Sequence, residues 1–429
     1  MIRAFLLAAV LVVVFAAPAA AHNVTAGADL RIAQTIAGAE VTLVIKGTSR
    51  VPGPLRIGVV AYERADGLPV SLEVRSLTGG HTVTGTARAA AEPAYTELRV
   101  EETGPHQLTL RAGSEVAVVP FRVLVERGSA GDFLVYGGLF AAGLLLVGGL
   151  LTGATSRRGP AMLLSAGAAA GVTVAAMVVV FEPMLPPGPP DGAAPTATAQ
   201  PAGGRPFAQA RMETAPARPA PGQEFTLRVD LTDGSTGRPV DDLVSHHEAL
   251  AHVVVTSEDG RYFRHVHPLR TAPGRLEVRL RADRPGRYLA YAELEREDSG
   301  GQLLTGGFAV EGEPAVAAVE ETVAPTLRPA PTLRPAAPVA GRPATIELPA
   351  EGRVRPWLGM AGHLIVRNQD GSFLGHVHEM GTAGDRLRFT FSFPRPGRYL
   401  AWAQHATDGR IVTMPFTVDV TGPGSASAG

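Results

Sequence analysis

The feature that most constrains this chain is an internal duplication in its distal half. His252, His265 and His267 stand in "AHVVVTSEDGRYFRHVHP", and His363, His376 and His378 stand in "GHLIVRNQDGSFLGHVHE". One offset relates every member: 363 − 252, 376 − 265 and 378 − 267 all equal 111. The two "PGRYLA" segments, beginning at Pro285 and Pro396, share it. Whatever fold one copy adopts, the other must adopt too. Between the histidines the residues differ freely, Thr256 against Arg367 and Arg264 against Gly375, while the imidazoles stay. Imidazole is the commonest protein metal ligand near neutral pH, so a metal ion is the first partner to consider.

Each copy carries runs in which apolar and polar residues alternate, such as "EFTLRVDLTD", "RLEVRLRA" and "RYLAYAELE". The period of two predicts compact antiparallel β-sandwiches at residues 207–312 and 338–420. Residues 22–127 show the same punctuated alternation and predict a third sandwich. Proline-rich stretches at 186–204 and 313–337, the latter containing "APTLRP" twice, predict a disordered linker and a stiffened spacer long enough for independent module motion. Residues 421–429 read as a tail.

Residues 1–21 have the make-up of an export signal, with Arg3 before a short apolar run and small residues ending at Ala21. Two longer apolar segments, 133–152 and 161–181, are each sufficient to span a bilayer. The loop between them, 153–160, carries Arg157 and Arg158, which favours the cytoplasmic side. The fold class expected is therefore all-β extracytoplasmic domains, immunoglobulin-like or cupredoxin-like, plus a two-helix transmembrane hairpin. Neither span contains an ionisable residue, so the hairpin reads as an anchor and not a transport path.

Composition narrows the chemistry. With no cysteine among 429 residues, disulfides, thiolate metal sites and cysteine nucleophiles are excluded, and an ion must be held by His, carboxylate or Met. A net charge of −1 argues against nucleic acid as partner. No nucleophile paired with a base and no phosphate-binding loop stands out, so an enzyme is not expected.

In each copy Asp-Gly, at Asp259-Gly260 and Asp370-Gly371, predicts a hairpin between the strand of the first histidine and the strand bearing His-Val-His. An even loop puts all three imidazoles on one face, with neighbours about 5 to 7 Å apart. Bonds of about 2 Å could then converge on one ion. An odd loop would turn the first histidine to the other face. The second copy adds Met380 two residues after His378, with Met360 and Met414 nearby, and His405 as a fourth imidazole. Imidazole with thioether favours copper, zinc being the alternative, and marks this copy as the stronger site. The first copy has His246, His247 and Glu248 before its strand and Leu294 where the second has His405.

These stretches, with "FPRPGRYLAWAQHATDGRIVTMPFTV", resemble the His-rich extracytoplasmic modules of YtkA-like and FixH-like domains associated with heavy-metal handling. The resemblance implies an immunoglobulin-like or cupredoxin-like sandwich and groups His363, His376, His378 and His405. Cleavage after Ala21 would expose His22, whose amine and ring could chelate copper together, as in the histidine brace of CopC-like carriers and copper monooxygenases. His81 and His106 are the candidates to complete such a site. The function expected is a membrane-anchored metal-binding protein, most simply for copper, acting in storage, delivery or resistance with an envelope metal-handling partner. The alternative is an envelope interaction protein whose histidines are structural and whose sandwiches bind proteins or polymers.

Overall fold

The computed structural model describes residues 23–62, 67–126, 130–181, 184, 189–194, 207–297, 299–314, 330–379, 385–407 and 409–423. His22 and Met380 lie outside them.

The first sandwich pairs one sheet of β1 (Asn23–Val24), β9 (Glu115–Val123), β8 (Gly104–Ala112), β5 (Pro69–Ser76) and β6 (Thr82–Arg88), in that order, with a second of β2 (Asp29–Ile36), β3 (Ala39–Lys46), β4 (Gly53–Ala61) and β7 (Thr96–Val100). The alternation read in the sequence is the pleat: in β9 every second residue is buried, and in β5 Val70, Leu72 and Val74 face the core.

Two helices follow, α1 (Ala130–Leu151) and α2 (Arg158–Phe181), both long and apolar enough to cross a bilayer. They pack where their side chains vanish. A Cβ on Gly138 would lie 2.6 Å from the Gly171 carbonyl oxygen, and one on Gly171 would lie 2.5 Å from that of Gly138. Backbones approach closely only over small residues. Phe133, Phe140, Leu144, Leu163 and Val179 point outward and are exposed, as lipid-facing groups are. The expected linker is ordered in part. Asp191 bridges to Val125 through two backbone hydrogen bonds, and Arg122 Nε donates to the Gly192 carbonyl at 2.9 Å. The chain thus returns from the hairpin to the domain it left.

The second sandwich has sheets β10 (Ala208–Ala215), β11 (Glu224–Asp233), β16 (Arg275–Arg281), β15 (Leu269–Ala272), and β12 (Leu243–Val244), β17 (Gly286–Arg296), β13 (Ala251–Ser257), β14 (Phe263–Val266), with β18 (Gly300–Val310) on the free side of β17. The third has β19 (Thr332–Arg334), β20 (Pro343–Pro349), β23 (Arg386–Ser392), and β22 (Leu374–His378), β21 (His363–Asn368), β24 (Gly397–Thr407), β25 (Arg410–Val420). The second "APTLRP" copy is not spacer: its Thr332–Arg334 is the edge strand paired with β20.

The expectation of independently moving modules is corrected by the packing. β13 and β21 are buried on both faces. One face of each fills its own sandwich, through Val253 and Val255 or Leu364 and Val366. The other faces meet in a cluster of Val254, Phe263, Tyr291, Ile365, Leu374 and Trp402. These are the same three positions in each copy, 254 and 365, 263 and 374, 291 and 402, related by the repeat offset, so the contact is isologous, like a symmetric dimer within one chain. Phe263 stacks on Trp402 at 4.6 Å between centroids. Thr256 and Arg367 are repeat equivalents and touch each other, Arg367 donating to Thr256 Oγ1 at 2.7 Å, so they lie on the pseudo-two-fold axis. The first sandwich closes the assembly: its core is continuous with that of the second, and Ala33 and Tyr62 join Ala249, Trp357, Leu358 and Ala406 where all three meet.

Candidate metal centre

The hairpin register is even. His363 pairs with His378 and Ile365 with His376 across β21 and β22, and Val254 with His265 across β13 and β14. Each triple therefore shares one face. In both, one ring nitrogen from each imidazole lies within 4.8 Å of the others.

That face is the one the two modules turn toward each other, so the triads are not separate sites. His265 and His376 rings lie 5.1 Å apart, His252 and His376 5.2 Å, and His265 and His363 6.0 Å. With His246 and His247 beside them, eight of the chain's twelve histidines form one cluster across the interface.

The outer nitrogens fix the tautomers. His252 Nε2–H donates to the His246 carbonyl at 3.0 Å, and its equivalent His363 Nε2–H to the Trp357 carbonyl at 3.1 Å. His265 Nδ1–H donates to Gln404 Oε1 at 2.9 Å, whose amide nitrogen is held by Thr413 Oγ1. His376 Nδ1–H donates to Glu293 at 2.8 Å. Gln404 and Glu293 are repeat equivalents, and each orients a histidine of the opposite module. His267 Nδ1–H donates to Glu40 of the first sandwich at 2.5 Å, while Thr35 bonds the backbone of the same histidine. Every outer partner is an oxygen that only accepts.

The inner nitrogens of His252, His265 and His363, whose rings burial keeps neutral, must then be lone pairs. His252 Nδ1 faces His265 Nε2 and His267 Nε2 at 3.1 Å each, and His363 Nδ1 faces His376 Nε2 at 3.2 Å. Burial, followed by the neighbouring imidazoles, holds His252, His265 and His363 well below the ordinary histidine pKa. Burial likewise lowers His247 to about 4 and His378 to about 3. For Glu293 burial opposes ionisation, but the hydrogen bond from His376, together with the surrounding imidazoles, outweighs it and holds the carboxyl below its usual range. Converging acceptors with no proton between them repel. Ligand bonds of about 2.0–2.1 Å in tetrahedral geometry separate nitrogens by about 3.3 Å, close to the spacing here. The carboxylate and carbonyl partners on the far ring nitrogens are those that orient metal-bound histidines.

Other expected ligands are not brought in. His405 lies on the opposite face of β24 from Gln404, the partner of His363; its Nε2 bonds the Glu351 carbonyl at 3.0 Å. An odd sequence separation from Gln404 on a strand accounts for this. Met414 is buried in the third sandwich's own core. His405 and Met414 therefore lend the second copy no advantage, and the first copy has the more enclosed triad, all three rings buried. His106 is a core residue of β8, its Nδ1 on the Gly104 carbonyl, and His81 is exposed. Sequence reasoning missed Glu40 and Gln404 as orienting groups and the role of Glu293 toward the other module. One signal was available: "AHVVVTS" and "HLIVRN" are continuous apolar runs, the mark of strands covered on both faces.

Residues 208–313 and 333–422 each match a family described as a domain of unknown function (DUF8832). No curated protein matches the chain. Among solved structures the chain is similar to a two-domain fibronectin type III segment of chicken tenascin, at 11% identity over 51% of this chain and 99% of that one, with a TM-score of 0.17. It is also similar to the chicken CNTN1 FN1-FN3 domains, at 7% identity over 88% and 97%, with a TM-score of 0.18.

Proposed function

We propose that the protein is a membrane-anchored, extracytoplasmic metal-binding protein that stores or hands on its ions, copper being the first candidate and zinc the second. The observation that carries this reading is the convergence of two histidine triads in which the unprotonated His252 Nδ1 and His265 Nε2 face each other at 3.1 Å while five of the six rings commit their outer nitrogen to an oxygen acceptor. Structural histidines would pair donor with acceptor; these present acceptor to acceptor, which a cation relieves. An all-imidazole donor set suits both copper and zinc, and copper(II) stands highest among divalent first-row ions for nitrogen donors. The resemblance to heavy-metal-handling modules points the same way. The reading assigns no catalytic step. Arg157 and Arg158 between the spans, and the return of the chain to the first sandwich after α2, support an orientation with all three sandwiches outside the cytoplasm.

The test is metal stoichiometry on the full chain in detergent after loading with Cu(I), Cu(II) or Zn(II) and desalting. Two ions per chain are expected, falling to one in His265→Ala and in His376→Ala. Retention of no ion under any loading overturns the proposal.

A further inference from the structure

The two triads are related by the repeat, but their coverings are not. Before β13 the chain reads His246-His247-Glu248-Ala249, and before β21, at the same offset, Trp357-Leu358-Gly359-Met360. The backbones of the two loops agree. His246 bridges to Ala249 and Trp357 to Met360, and the second and third residues have left-handed φ in both, 47° and 60° against 55° and 72°. Only the side chains differ.

Because the interface is isologous, each loop covers the other module's triad. Trp357 lies 5.6 Å from the ring of His265 and 6.0 Å from that of His267, as well as 4.9 Å from that of His363 in its own module, with Leu358 beside it in the three-domain junction. Thr35 and Glu40 complete the cover, and this triad is sealed under an indole, an aliphatic side chain and a second domain. Over the other triad the equivalent loop places His247, its ring 3.8 Å from that of His378 and 3.9 Å from that of His246. His378 keeps partial exposure, although the ring of His376 is buried, and His378 Nε2 is buried with no hydrogen-bond partner. Among the described residues, no domain seals this side as the first sandwich seals the other.

We infer that the cluster is an asymmetric two-ion centre in which His247, supplied by the neighbouring module, completes the second triad as an open four-imidazole exchange position beside a sealed three-imidazole retaining position. The inference rests on the metal-binding reading and deepens it. A fourth imidazole raises the donor number where access is greatest, so an ion can be captured from solvent or a carrier without first displacing the cover. The first triad is reached only by moving Trp357 or the first sandwich, so its ion leaves slowly.

The experiment loads the full chain with Cu(I) and follows transfer to excess chromophoric Cu(I) chelator. Two phases of equal amplitude are expected, one ion leaving at least ten times faster than the other. His247→Leu copies the side chain that the equivalent loop already carries and so preserves the loop. It is expected to weaken the rapidly exchanging ion at least tenfold and leave the slow phase unchanged. One ion per chain, a single release rate, or two phases indifferent to His247→Leu overturns the asymmetric centre while leaving metal binding standing. Retention of no ion by the wild-type chain overturns both.

Discussion

At the scale of single residues, the site depends on which nitrogen of each ring is committed outward. Glu40 and Glu293 do this for His267 and His376. Replacing either with Gln keeps an oxygen acceptor but removes the charge that makes the imidazole more basic. Each substitution is expected to weaken its own ion about 10–100-fold, the range for such orienting partners, in chelator competition. Gln404 is a natural version of that change, and Gln404→Glu is expected to act in the opposite direction. His405→Ala is expected to leave the stoichiometry unchanged, because its ring lies on the other face of β24; loss of an ion in this variant would restore it as a ligand. Protons provide a further check. His252, His265 and His363 have pKa values far below those of unfolded histidine, about 6.5. Below that pH the unfolded chain takes up protons that the folded one refuses, so stability of the metal-free protein falls as pH drops from 7.5 to 5.5 and keeps falling toward the folded pKa values. The denaturation midpoint should move down; an unchanged midpoint would contradict burial of neutral rings. The residue types and their spacing were legible without a structure. Their partners were not, since Glu40 and Gln404 lie 227 and 139 positions from the histidines they orient.

Among the elements, the hairpins do most to place the site, and their turns dock as well as reverse the chain. Gly260 and Gly371 have φ of 74° and 76°, where a side chain is strained. A Cβ at Gly260 would also meet Leu400 at 2.4 Å, and one at Gly371 would meet Leu289 at 2.3 Å. Asp-Gly therefore serves two purposes, of which only the turn could be read from sequence. Gly371→Ala is expected to cost at least about 1–3 kcal/mol from backbone strain alone. Trp402→Ala removes the largest side chain of the inter-module cluster, where such truncations cost about 3–5 kcal/mol. Because this contact holds the triads together, both variants should lower affinity at both ions as well as Tm; an effect on Tm alone would separate packing from the site. Strand identity and face were readable from the period of two. That β13 and β21 bury their second face against each other was only hinted at by their unbroken apolar runs.

For the whole molecule, one pseudo-two-fold axis and a capping domain turn two repeats into one centre. Modules 207–314 and 330–423 expressed separately would each lose the orienting group supplied by the other, Gln404 or Glu293, and expose the apolar cluster between them. Neither alone is expected to hold an ion as tightly as the intact chain, and mixing the two should restore binding if the interface survives as a dimer. A chain lacking the first sandwich should keep the second triad and weaken at the first, since Glu40 and Thr35 are gone. Ligand linkage provides the readout: an ion at 100 times its Kd adds about 2.7 kcal/mol, and the shift should be smaller in the truncated form.

The sequence by itself determined the parts: β-sandwiches from alternation, apolar spans from length, a cysteine-free donor set, and histidine triples that an even hairpin must gather on one face. These are local consequences of period, turn chemistry and composition. Only the tertiary structure decided that the two triples meet, that burial keeps the rings of His252, His265 and His363 neutral, and that the two triads are covered differently. Such facts depend on which buried faces cover one another. That choice is made by shape and polar complementarity between residues distant in the chain, which no local pattern encodes.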